Sequence, residues 1–188
     1  MAHLGRRNLT VRLAVIAWTA ATAHAQGVSE TEQYRVKAAF LYNFTRFVEW
    51  PSGVFDSSDS PIGICVLGQN FFSHVLRDTV RGKTVNGRML IVNVTPDAQS
   101  ATHCQILFVG ASERKRFGAI LGELQTSRVL TVGESDGFIE EGGIINLRLD
   151  NGAIRIQINI NAAQQAGVRV SSKLLSLAQI VGKPVQAK

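Results

Sequence analysis

The sequence predicts an α/β fold: one domain with a mixed, mainly parallel sheet, helices on both faces and an antiparallel hairpin near the C-terminus. Short, nearly continuous apolar runs at Pro61–Gly68, Met89–Val94, Cys104–Val109 and Val129–Val132 alternate with helical stretches. That is the pattern of parallel strands buried on both faces. Two more runs, Ile144–Leu149 and Ala153–Ile158, flank Asp150-Asn151-Gly152, a strong signal for a tight antiparallel turn. Finally, Tyr34–Pro51, YRVKAAFLYNFTRFVEWP, holds six of the thirteen aromatic residues in the chain, enough apolar surface to anchor a domain.

Taken in order, Met1–Ala25 reads as a secretory signal. Arg6, Arg7 and Arg12 precede an apolar run, and Ala23-His24-Ala25 fits a small-x-small cleavage site. Its loss leaves residues 26–188 as a single domain and lowers the formal charge from +6 to +3. The remaining basic residues are scattered, which argues against nucleic-acid binding. Arg114-Lys115-Arg116 is the densest cluster and reads as the solvated start of a helix capped by Ser112 and running to about Leu124. No apolar run reaches the roughly 20 residues of a membrane span, so direct membrane insertion is not expected.

At 100° per residue, Val36, Phe40, Phe44, Phe47, Val48 and Trp50 share one arc of the first helix, with Tyr42, Thr45, Arg46 and Glu49 opposite and Pro51 as the stop. Lys37 falls near the edge of the apolar arc. Asn43 lies within it and reads as a structural amide. The polar loop Asp56–Ser60 then leads to the first strand, with a helix near Phe71–Val80 after it. In the second strand of the hairpin, Ile154, Ile156 and Ile158 alternate with Arg155, Gln157 and Asn159, so one face is expected to be wet. A short segment, Ala162–Ala166, leads to Val168-Arg169-Val170, and Ser171 or Ser172 caps a last helix expected over Lys173–Val181.

Cys65 and Cys104 are the two cysteines, and an even count in an exported chain favours a disulfide, either structural or redox-sensitive. Chemistry-bearing groups are sparse. His74 and His103 each stand alone, so no metal is expected, and neither phosphate-cradling nor hydrolase-elbow motifs occur. Glu134 and Asp136, in the loop Gly133–Gly137, are the remaining acid–base candidates, though such loops are usually turns. Arg169, beside the amides near Ser171 and Ser172, is a weak anion-site candidate. The reading is of a non-enzymatic protein with no cofactor.

The order of motifs resembles the YfiR/HmsC-like family of periplasmic regulators. The resemblance is carried by Tyr34-x-Val36-Lys37-Ala38-Ala39-Phe40-Leu41-Tyr42-Asn43-Phe44 through Phe47-x-Glu49-Trp50-Pro51, Ile64–Gly68 and Cys104-x-Ile106-Leu107-Phe108. It continues through Val129–Gly133 with Gly137-Phe138, Gly142–Asn146, Ile158-Asn159 and Ser171–Leu175. It implies a non-enzymatic regulator that represses an inner-membrane diguanylate cyclase through its periplasmic sensor domain, lowering cyclic di-GMP and biofilm formation. It also implies a homodimer and a disulfide at Cys65 and Cys104. A second cysteine pair found in some relatives is missing here, so its role does not carry over. The expected partner contacts are Arg46, Glu49, Trp50 and Arg169, because Arg and aromatic anchors dominate interfaces. The alternative is a periplasmic small-molecule sensor or solute-binding module with its pocket near Gly133–Gly137.

Overall fold

The computed structural model describes residues 29–68 and 70–182; the expected signal segment, residues 1–25, lies outside them. Helix α1 spans Glu30–Phe47. Ser29 caps it by accepting the Glu32 backbone N–H at 3.2 Å, in the Ser-x-x-Glu arrangement of a capping box, and Glu30 and Glu32 sit at its positive end. The helix does not run to Pro51. Val48 turns extended (φ −118°, ψ 136°), and Val48–Glu49 become strand β1.

The buried face of α1 also differs from the expected arc. It consists of Tyr34, Lys37, Ala38, Leu41, Phe44 and Thr45, while Val36, Phe40 and Phe47 are only half-buried. The Thr45 hydroxyl satisfies itself by donating to the Tyr42 carbonyl at 2.6 Å, which makes its burial tolerable. The larger Phe40 and Phe47 pack only at the edge of the core, whereas the smaller Ala38 and Leu41 are fully buried within it.

The main sheet is built from β2 (Ile62–Leu67), β3 (Thr84–Val85), β4 (Arg88–Thr95), β5 (Ile106–Val109), β6 (Leu130–Gly133), β7 (Ile145–Asp150), β8 (Ala153–Asn159) and β10 (Gln179–Val181), in the order β10-β8-β7-β6-β5-β2-β4-β3. Strands β4, β2, β5, β6 and β7 run parallel, and β3 and β8 pair antiparallel to β4 and β7. Every residue of β2, β5 and β6 is buried, as their unbroken apolar runs require. The mixed, mainly parallel sheet is therefore as the sequence predicts.

The β7–β8 hairpin closes on Asn151 and Gly152, both with positive φ (48° and 78°). Asn86 and Gly87 (52° and 79°) turn β3 into β4 in the same way, giving a short strand not anticipated from sequence.

Helix α1 and helix α2 (Asn70–Val80) cover one face of the sheet, over a core that includes Leu41, Phe44, Ile64, Phe72, Phe108 and Ile145. Helix α3 (Phe117–Leu124) covers the other, packing Phe117, Ile120 and Leu121 on Leu107, Val109 and Phe138. Ala111–Arg116, carrying the exposed Arg114-Lys115-Arg116, form a 3-10 turn rather than the first α-helical turns. After the short helix α4 (Ile160–Gln165), strand β9 (Arg169–Val170) leaves the main sheet and pairs with β1.

The expected last helix is a single turn, α5 (Ser172–Leu175). The chain then pairs with β8 as β10, so the Leu174–Leu177 pattern that suggested a longer helix leaves Leu177 exposed.

Cys65 on β2 and Cys104 just before β5 form a disulfide with their Cα atoms 5.9 Å apart. The bridge ties neighbouring strands and closes a 39-residue separation.

Candidate partner-binding site

Two-residue strands are rarely stable alone, yet β1 and β9 are held at both ends. Val48 pairs with Val170 and Glu49 with Arg169, and the Ser171 N–H reaches the Phe47 carbonyl at 2.9 Å. The Lys173 ammonium lies over the Phe47 ring, 5.3 Å from its centre.

The antiparallel register places Glu49 and Arg169 directly across from each other, with opposite charges on one face. Both are exposed, and neither has an ion-pair partner within 4 Å among the described residues. They line an open cleft of about 400 Å³ together with Trp50, Pro51, Ser52 and Gly167.

The structure thus brings three of the four sequence-nominated residues to one place. Arg46, exposed in the last turn of α1, is not in the cleft lining. Trp50 is not the free anchor expected at a helix end, because it lies beyond the helix and is half-buried. Its indole N–H donates to the Gln105 carbonyl at 3.1 Å, and its ring meets Phe55 edge-on at 6.3 Å. A side chain so tied presents a rim to a partner while fixing the loop after β1.

The helix-terminus idea for Arg169 also changes. The Ser171 hydroxyl and carbonyl accept from Leu174, and the carbonyl accepts from Leu175 as well, so the cap uses its own amides.

The Gly133–Gly137 loop does not hold an acid–base pair. Glu134 points inward, where its carboxylate takes the Lys37 ammonium at 2.6 Å and the Ala111 N–H at 2.9 Å. Asp136 is exposed and lies 3.4 Å from Arg148. Lys37 was visible in sequence as a cation near an apolar arc, but its partner is 97 residues away and no local signal connects them. Among the described residues, no three His, Cys, Asp or Glu side chains gather as a metal site, and no helix is long and apolar enough to cross a membrane.

The order of these elements bears directly on kinship, since the YfiR/HmsC-like family profile matches residues 34–179, from the buried start of α1 to β10. The chain belongs to the YfiR/HmsC-like family. Membership points to a regulatory, non-catalytic protein of the periplasm.

No curated protein matches the chain. Among solved structures, a conserved domain protein from Vibrio cholerae O1 biovar El Tor strain N16961 is similar at 14% identity and a TM-score of 0.51. The match covers 64% of this chain and 54% of that one. The likeness is one of fold, and the chain spans about half the length of that relative. An ABC domain in complex with L-Trp from Streptococcus pneumonia is similar at 12% identity and a TM-score of 0.47, over 64% of this chain and 55% of that one.

Proposed function

We propose that the protein binds the periplasmic sensor domain of an inner-membrane diguanylate cyclase and holds it inactive, lowering cyclic di-GMP and restraining biofilm formation. Family membership over residues 34–179 is the observation that carries this reading. In it, residues 1–25 direct export and are removed, residues 26–188 act as one domain, and the active form is a homodimer.

Repression requires only that the protein bind the inactive state of its partner more tightly than the active one. The β1–β9 cleft supplies suitable contacts. Glu49 and Arg169 offer two unneutralised, opposite charges on a rigid ribbon beside the rim of Trp50, and paired charges on a partner would select orientation as well as affinity. Arg46, one turn back on α1, extends the same set.

The test is cellular cyclic di-GMP in a deletion strain, in a strain complemented with the full chain, and in one complemented without Met1–Ala25. A rise on deletion that only the full chain reverses is the expected result. Unchanged cyclic di-GMP in all three, with the protein demonstrably produced, would overturn the reading.

A further inference from the structure

A second concavity, of about 640 Å³, lies on the opposite side of the main sheet from α1 and has no part in the reading above. Its floor is made where side chains are scarce. Gly63 and Cys65 on β2 stand beside Ile91 and Asn93 on β4, and α3 packs farther along, over β5 and β6. Gly63 contributes no side chain, and a methyl group there would come within 3.4 Å of the Gln105 side-chain oxygen.

One wall is the 53–61 loop, held in place by Arg88. Its guanidinium bonds the Ser57 and Ser60 carbonyls at 2.9 and 2.6 Å and stacks 3.9 Å from the Phe55 ring. The other wall is the segment from Thr95 to the disulfide at Cys104.

Two donor groups with spare hydrogen-bonding capacity line this groove, on Gln105 and Arg128. Gln105 is 6% exposed, and its side-chain oxygen accepts the Gly63 N–H at 2.7 Å. Because a backbone N–H can only donate, that contact fixes the amide orientation. The –NH2 group, with two donors, is left facing the groove with no protein acceptor among the described residues. This nitrogen is open to the groove, so a ligand acceptor there would take the place of water.

Arg128 lines the same groove; it is exposed and has no ion-pair partner within 4 Å among the described residues. Arg128 adopts φ 62°. Among the described residues, the other non-glycine positions with positive φ are Asn86 and Asn151, both in Asn-Gly turns. His103 and Asn93 add further nitrogen-bearing groups to the lining. Asp56, the one acid in the lining, makes no ion pair within 4 Å with Arg128.

We propose that this groove binds a small organic carboxylate, its charged end held by the Gln105 amide and Arg128 and its aliphatic body lying across Gly63 toward Ile91. The carboxylate supplies an acceptor to each of these accessible donors in place of water. From β5 across β2 to β4 is two strand spacings, about 10 Å, the reach of a medium-length chain. The volume falls in the usual range for small-molecule sites, about 300–1,000 Å³. Its lining shares no residue with the β1–β9 cleft, though Trp50 of that cleft bonds the Gln105 carbonyl and packs on Phe55.

The probe is octanoate, with octanamide as its uncharged counterpart, added to the purified mature protein with its disulfide intact. Octanoate is expected to raise the melting temperature saturably and to shift the Gln105 side-chain amide signals in a nitrogen-edited NMR spectrum. Octanamide should bind at least tenfold more weakly, as expected for loss of a charged hydrogen-bond partner.

Two variants are chosen to keep the fold. Arg128→Gly suits the positive φ, and Gln105→Glu still accepts the Gly63 N–H while replacing both donors with an acceptor. Each should weaken octanoate at least tenfold. Absence of a saturable response to octanoate, equal binding of octanamide, or unchanged affinity in both variants would each overturn the proposal.

Discussion

Lys37→Met removes one half of a buried ion pair, and the geometry sets the scale of the loss. The ammonium and carboxylate are 2.6 Å apart, with side-chain exposures of 8% and 4% for Lys37 and Glu134. At an effective dielectric of about 20 their attraction is roughly 6 kcal/mol, most of which offsets the desolvation of two charges. Losing one partner leaves the other desolvated without compensation, so Lys37→Met should cost about 3–5 kcal/mol. At about 2–4 °C per kcal/mol for a domain of this size, the melting temperature should fall by roughly 6–20 °C.

Glu134→Gln should cost a similar amount, because the amide still accepts the Ala111 N–H but leaves the Lys37 charge unanswered. In the double variant no buried charge remains, and most of the loss should be recovered. Urea unfolding of the four proteins, with the disulfide kept oxidised, gives the coupling energy directly. A cost below about 1 kcal/mol for Lys37→Met, or a double variant whose loss equals the sum of the singles, would refute the argument.

Replacing Cys65 and Cys104 together by alanine should cost about 4 kcal/mol in the chain-entropy account, and reductant should lower the urea midpoint of the wild type similarly. Gly143→Ala would place a methyl carbon 2.6 Å from the Phe138 carbonyl and inside the Phe138 ring, so a loss of about 1–3 kcal/mol or outright misfolding is expected by circular dichroism. The Ser100 hydroxyl and backbone N–H hold the Asp97 carboxyl below its ordinary pKa. Since the folded value is the lower one, the contribution of Asp97 is complete above the ordinary carboxylate range and vanishes as pH falls through the folded value. An NMR titration should show its midpoint depressed in the wild type and restored toward normal in Ser100→Ala. Arg169→Ala should change stability by no more than about 0.5 kcal/mol yet raise cellular cyclic di-GMP toward the deletion level; an unchanged level would remove Arg169 from the interface.

The strands were legible because burial on both faces leaves a local trace. Ile64–Leu67 and Ile106–Val109 are apolar at every position, and Asn151-Gly152 can turn only one way. The alternation in β8 also held, with Ile156 and Ile158 buried and Arg155 exposed. What failed depended on distant partners. Helix α1 ends at Phe47 because Val48 and Glu49 find β9, more than a hundred residues later, and no feature of Phe47-Val48-Glu49 announces it.

The same holds for the segment after Leu175, whose helical spacing yields to an open edge offered by β8. Of the candidate contacts, Glu49 and Arg169 could be named but not seen to face each other. Gln105 escaped notice altogether, since a single glutamine before an apolar run carries no pattern until Gly63 claims its oxygen.

The β1–β9 ribbon has a consequence for how such a chain assembles. Residues 48 and 170 are adjacent in space, and so are residues 37 and 134, so the first helix cannot complete its contacts until nearly all of the chain has been made. Tyr34 can pack early on Phe72 of α2, but the end of the helix near Lys37 and Val48 waits for its distant partners. Folding that waits on such remote closures is intrinsically slow and open to aggregation. Shielding Leu41 and Phe44 until those closures form would therefore favour correct folding.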